Sequence, residues 1–171
     1  MDVSILLFSG IQAHKKISMK ITRFNIRVYG IILHKGSILL TDEFRLGMRM
    51  TKFPGGGLEF GEGTSECLKR EFQEEIGQEI IVKEHIYTTD YFQPTFLLEE
   101  PQQLISIYYR VELRDYKRVK ASPRAFDFKE TREGAQSFRW VGLKTLRPEI
   151  LTFPIDQKIV PMLREKYLTS R

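Results

Sequence analysis

Residues 69–78 read KREFQEEIGQ and carry three glutamates, Glu71, Glu74 and Glu75. On a helix, spacings of three and four bring side chains onto one face, where like charges repel by roughly 0.2–0.5 kcal/mol per pair. Three carboxylates crowded in this way need a compensating partner. On a helical wheel, Leu68, Phe72 and Ile76 form an apolar stripe that must face a core. Glu66, Lys69, Arg70 and Gln73 fall broadly opposite and can face water. Glu71, Glu74 and Glu75 make a third sector, with Glu71 and Glu75 at the border of the stripe. An unpaired charge there is costly, because the rim of a buried face is partly desolvated. A hard divalent cation removes the conflict, since Mg²⁺ and Mn²⁺ take carboxylate, carbonyl and water oxygens. A merely solvated acidic face is the plainer alternative, and the border position weighs against it.

The segment before the helix, KFPGGGLEFGEGT (52–64), is rich in glycine. Glycines let backbone approach a ligand closely, and a turn there can aim carbonyls or amides at an ion or a phosphate. Thr64 is read as the cap of a helix running to about Ile76, with Glu66 in its first turn and Gly77 as its stop.

The rest of the chain must position this helix. FNIRVYGIIL (24–33) reads as a strand, HKG (34–36) as a turn and SILLTDEF (37–44) as the second arm of a hairpin. Residues 44–53 loop back to a short strand, and PGGG (54–57) breaks regular structure. Residues 79–92 and 103–113 read as long strands separated by a loop with Pro94 and Pro101. Residues 114–137 form a basic, irregular connection, followed by the strand FRWVGL (138–143). A helix from Pro154 to Tyr167 is expected to kink or start late because of Pro161. Strands with one helix among them and one at the end predict a single α+β (α/β) layered domain over residues 24–171. Residues 1–23 stand apart as an N-terminal extension or arm.

With 171 residues, 42% of them hydrophobic, the chain can bury a sizeable core. Its 27 basic against 22 acidic side chains give a formal charge of +5, which suits an anionic partner or simple solubility. One cysteine, Cys67, excludes an internal disulfide framework and a cysteine-based zinc site. It reads as a small packing residue on the helix. The three histidines are scattered. No stretch is apolar for long enough to span a bilayer, so no membrane partner is expected, and a reducing, cytoplasmic setting is.

From Gly56 to Gln78 the chain resembles the Nudix box, Gly-x5-Glu-x7-Arg-Glu-U-x-Glu-Glu-x-Gly-U, where U is a bulky aliphatic residue. Gly56, Glu62, Arg70, Glu71, Glu74, Glu75 and Gly77 fall in register. Phe72 and Gln78 depart at the two U positions, and Gln78 is expected to loosen packing after the helix. The resemblance implies a mixed β-sheet sandwiched between helices, with the box as loop–helix–loop. It also implies hydrolysis of a nucleoside diphosphate linked to another moiety, with Mg²⁺ or Mn²⁺. Carried over by position, Glu74 and Glu75 resemble metal ligands, Glu71 a ligand or the base that activates water, and Gly55 a carbonyl ligand. Arg70 and Glu62 resemble a pair that fixes the box, together with Gly56 and Gly77. Glu133 is the expected additional ligand from a late loop, with Glu130 its rival.

Substrate contacts are expected from Arg45, Arg49 and Lys52, which precede the box and can reach phosphates. Tyr91 and Phe92, with Tyr87, can stack on a base. Pro94 follows Gln78 by sixteen residues, a spacing that resembles the ADP-ribose pyrophosphatase branch. ADP-ribose or a nucleotide sugar ranks first as substrate, a nucleoside triphosphate second and an RNA end third. A Nudix-fold sensor that binds a nucleotide without cleaving it is the alternative, as is a basic RNA-binding protein. The chain carries neither a helix-turn-helix pattern nor an RNA-recognition signature. The family often forms dimers, so a homodimer is a further expectation.

Overall fold

A computed structural model describes residues 3–4, 18–19, 21–95, 98 and 100–169. Most of the expected N-terminal arm therefore lies outside the described residues. Its described part is a pair of two-residue strands, β1 (Val3–Ser4) and β2 (Ser18–Met19), which pair antiparallel.

The centre of the fold is a mixed four-stranded sheet. β3 (Phe24–Ile31) runs parallel to β9 (Gln103–Leu113). β7 (Gly55–Gly57) pairs antiparallel with the outer side of β3, and β8 (Ile80–Thr88) with the outer side of β9. A second, antiparallel group is built on β5 (Ser37–Arg45), which pairs with β4 (Leu33–His34), β6 (Met48–Lys52) and β10 (Ala135–Gly142). The expected hairpin turns at Lys35 and Gly36, both at positive φ.

Two helices cover opposite sides of this β layer. Helix α1 (Thr64–Ile76) buries Cys67, Leu68 and Phe72 against Val28, Ile32, Leu39 and Val111. Helix α2 (Pro154–Arg164) buries Ile155, Ile159, Val160 and Leu163 against Tyr29, Ile31, Ile38, Leu40 and Tyr108. The two-residue period of a strand explains the division, since Val28 and Tyr29 must point to opposite faces. Each central strand therefore needs apolar residues at consecutive positions, the run seen in GIIL and SILL.

Four local readings are corrected. PGGG does not simply break structure, because Gly55–Gly57 form a strand whose register sets Gly56 opposite Val28. The N-cap of α1 is Gly63, not Thr64. The Glu66 carboxylate reaches back to accept from the Gly63 N–H at 2.5 Å, which is half of a capping box, while the Thr64 hydroxyl meets the Tyr109 hydroxyl. Helix α2 continues through Pro161 to Arg164, and a π turn follows over Glu165–Thr169. Gln78 does not loosen the packing after α1. It is buried, and its Oε1 accepts from the Asp115 N–H. Gly77 stops the helix as expected, in the left-handed conformation at φ 69°.

Candidate active site

The acidic helix α1 lies against β7, and that contact shapes the site. A Cβ built on Gly56 would stand 2.0 Å from Oε1 of Glu71, so only glycine leaves room for this carboxylate. Arg70 then organises the loop. Its Nε and Nη2 donate to the two oxygens of Glu62 at 3.1 and 2.7 Å, and Nη2 also donates to the Gly57 carbonyl at 3.0 Å. Nη1 donates to Oε1 of Glu71 at 2.9 Å and lies 3.6 Å from Glu74. The Arg70 hydrogen bonds hold the Glu62 carboxyl at about 2, well below the usual carboxylate range, and the Glu59 N–H assists. Arg70 is thus turned inward onto the box, not toward water as the wheel places it. The wheel omits the loop residues Gly57 and Glu62 that draw it back.

The glutamates differ sharply in exposure. The side chains of Glu71 and Glu75 are 14% and 13% exposed, that of Glu74 60%. Glu75 is the deepest in its interactions. Its Oε1 accepts from Nε2 of Gln136 at 2.8 Å and lies 3.8 Å from the Lys52 ammonium. Its Oε2 is buried with no hydrogen-bond partner. Burial pushes the Glu75 carboxyl up, and Lys52 and Gln136 oppose that in part. Gln136 also donates to Glu43.

Lys52 is not a surface cation reaching for phosphate. It is 4% exposed, donates to the Gly55 carbonyl at 2.7 Å and pairs with Glu43 at 3.0 Å. The carbonyl of Gly55, the expected metal ligand, is therefore held by an ammonium. Among the described residues, no group of three or more His, Cys, Asp or Glu side chains stands together as a cation site. Arg70 and Lys52 each pair with carboxylates of this region. The donor set nevertheless suits a hard divalent ion. It is all oxygen, and the partnerless buried Oε2 of Glu75 is an unmet demand for a positive partner.

Glu133 accepts from the Leu46 N–H at 3.0 Å and shares a cavity of about 350 Å³ with Glu43, Arg45, Glu75 and Gln136. Glu130 lines a broader groove that also takes in Glu75, Glu133 and Gln136, with Arg118, Lys120 and Arg132. Arg45, exposed at the end of β5, borders this cavity and also the one holding Gly55, Gly56, Glu71 and Glu75. Arg49 is exposed and lies over the Phe126 ring, 5.6 Å from its centre. Tyr91 and Phe92 are exposed, and Tyr91 faces the Lys158 ammonium at 4.8 Å. Tyr87 packs in the α2 core and accepts from Lys158.

A neighbouring cavity of about 260 Å³ is lined by Arg27, Tyr29, Glu43, Arg45, Met50, Lys52, Leu104 and Phe153 among others. Arg27, Tyr29, Glu43 and Gln136 are the site residues that sequence reasoning missed. The alternation along β3 puts Arg27 and Tyr29 on one face, a signal that was available.

The family model for the NUDIX domain matches residues 23–163. The chain belongs to the Nudix family. Its Nudix fold is shared with solved structures at low identity. The E. coli ORF135 protein is 18% identical, with 86% of this chain and 94% of that one covered and a TM-score of 0.61. A NUDIX hydrolase from Nitrosomonas europaea is also 18% identical, covering 84% and 90%, with a TM-score of 0.60. An ADP-ribose pyrophosphatase from Streptococcus suis is 15% identical, covering 86% and 92%, with a TM-score of 0.51. No curated protein matches. Nudix hydrolases generally use divalent metal ions and act on small nucleotide substrates, consistent with pyrophosphate hydrolysis. Among the described residues no helix of this Nudix chain is long and apolar enough to cross a membrane.

Proposed function

We propose that this Nudix protein is a Mg²⁺- or Mn²⁺-dependent hydrolase that cleaves the diphosphate linkage of a nucleoside diphosphate joined to another moiety. The observation that carries this reading is the buried, partnerless Oε2 of Glu75 beside Glu71, within a cavity rimmed by Arg45. Glu74 and Glu75 are the ligands, and Glu71 is a ligand or the base. A bound divalent ion would supply an activated water and offset charge on the phosphoryl oxygens. In the role of base, Glu71 would take the proton of that water, while its Oε1 accepts from Nη1 of Arg70 at 2.9 Å. Arg45 meets a phosphate at the exposed rim, and Glu62 with Arg70 keeps the loop in register under the carboxylates.

ADP-ribose or a nucleotide sugar is the favoured substrate. The cavity beside the acids combines the cations Arg27 and Arg45 with an apolar wall of Met50, Leu104 and Phe153. That mixture suits a phosphate attached to a ring. The Streptococcus suis neighbour, named for ADP-ribose, shares the fold. The sole cysteine, buried, fits a reducing cytoplasmic setting.

The test is a panel of ADP-ribose, nucleotide sugars, nucleoside triphosphates and capped RNA with Mg²⁺ or Mn²⁺, read by product mass. Cleavage between the two phosphorus atoms, lost in Glu74→Gln, is the expected result. Turnover that survives Glu74→Gln unchanged overturns the assigned mechanism. Tight nucleotide binding by calorimetry without turnover supports the silent sensor instead.

A further inference from the structure

Lys52 has an unusual setting for a lysine. It lies at the end of β6, opposite Thr41 of β5, with its side chain almost wholly buried. Its ammonium is surrounded by oxygens: the Gly55 carbonyl at 2.7 Å, Oε1 of Glu43 at 3.0 Å and Oε1 of Glu75 at 3.8 Å. The Tyr29 ring centre lies 5.9 Å away on another side. A carbonyl and two carboxylates around one point is the donor set of a hard cation, here taken by a tethered one. An ammonium and a divalent ion cannot share that point, because they would repel at a short distance in a poorly solvated site. Glu75 is split accordingly. Its Oε1 faces Lys52 and Gln136, while its Oε2 is buried and has no partner.

We propose that Lys52 is a built-in cation of this site, filling the oxygen pocket of Gly55, Glu43 and Glu75 so that one fewer divalent ion is bound and Glu75 offers metal only its Oε2. The proposal rests on the hydrolase reading for the identity of the ions, but its test is separate. The Glu43 carboxylate at 3.0 Å and the Glu75 carboxylate at 3.8 Å are the opposite charges that match the Lys52 ammonium. The arrangement also gives Lys52 a positioning role. Its ammonium holds the Gly55 carbonyl and the Glu75 carboxylate in place whether or not a divalent ion is present.

The experiment counts Mn²⁺ bound per chain by the loss of the free-ion electron paramagnetic resonance signal. It compares wild type, Lys52→Met and Arg45→Met. The last removes a nearby positive charge that is not in the oxygen pocket. Lys52→Met is expected to bind one more Mn²⁺ than wild type, and Arg45→Met the same number as wild type. Equal counts in wild type and Lys52→Met, or an extra ion in both variants, overturn the proposal. The absolute wild-type count tests the hydrolase reading, because a count of zero removes its ions while the difference between proteins still reports on Lys52. If Lys52→Met fails to fold, wild-type crystals soaked in Mn²⁺ decide. An anomalous peak on the Gly55 carbonyl with Lys52 displaced overturns the proposal. Lys52 retained on that carbonyl, with Mn²⁺ reaching Glu75 only through Oε2, supports it.

Discussion

A methyl group at position 56 would collide with the carboxylate of Glu71. Relief requires Glu71 to leave its place over β7 or β7 to leave β3. Gly56→Ala should therefore cost about 1–3 kcal/mol in stability, as overpacking does, and weaken Mn²⁺ binding together with it. Thermal unfolding and a Mn²⁺ titration check this, and unchanged metal affinity would show that Glu71 is placed by something other than Gly56. Cys67, on the same helix, behaves oppositely to a reactive thiol. Burial pushes it up to about 12, with the Glu62 carboxylate adding to the effect, and its thiol faces the Gly57 carbonyl. Negligible thiolate exists at pH 8, so Ellman's reagent should leave the native protein unmodified and label it promptly in denaturant. Equal labelling rates in the two states would contradict this environment.

Helix α1 begins without a side-chain cap on Gly63, so Glu66 carries the N-terminal hydrogen bond alone. Glu66→Ala should cost about 1 kcal/mol, a fall in Tm of about 2–4 °C for a chain of this size. Calorimetry reads it directly, and an unchanged Tm would mean that water serves the Gly63 N–H equally well. At this scale much was legible in the sequence. The strand Gln103–Leu113 and the C-terminal end of helix α1 are legible with their observed bounds, because periodicity and the Gly77 stop are local signals, while α1 starts one residue earlier than a cap at Thr64 implies. What escaped is what depends on a distant partner. Gly55–Gly57 become a strand only because β3 offers a free edge, and no propensity of glycine announces it. Lys52 looks like a phosphate-reaching cation until β5 places Glu43 beside it. The seven box positions were visible by spacing, whereas Arg27, Tyr29 and Gln136 join the site through the sheet and not through any motif.

Across the whole molecule, Asp156 of α2 is a charge set deep in the second core. Its Oδ1 accepts from the Tyr108 hydroxyl at 2.5 Å, and its Oδ2 has no partner. Burial pushes its carboxyl up to about 7, against the pull of Tyr108, Lys52 and Arg27. The folded state then binds a proton that the unfolded state releases from about pH 4 upward. Stability from this group is complete below about pH 4 and is lost as pH rises through about 7, by roughly 4 kcal/mol in all. Asp156→Asn should flatten the fall in urea midpoint between about pH 4 and 7, and an identical slope in the variant would refute the shift. The same central layer has a further consequence. Its middle pair, β3 and β9, joins the beginning of the domain to a segment well past the acidic helix. A ribosome therefore releases the entire Nudix box before the strand that completes the sheet beneath it. A nascent chain stopped before Gln103 would hold every glutamate of the motif and still lack the strand that completes the sheet, so during synthesis the acidic residues emerge first and take their final setting only when a later strand arrives.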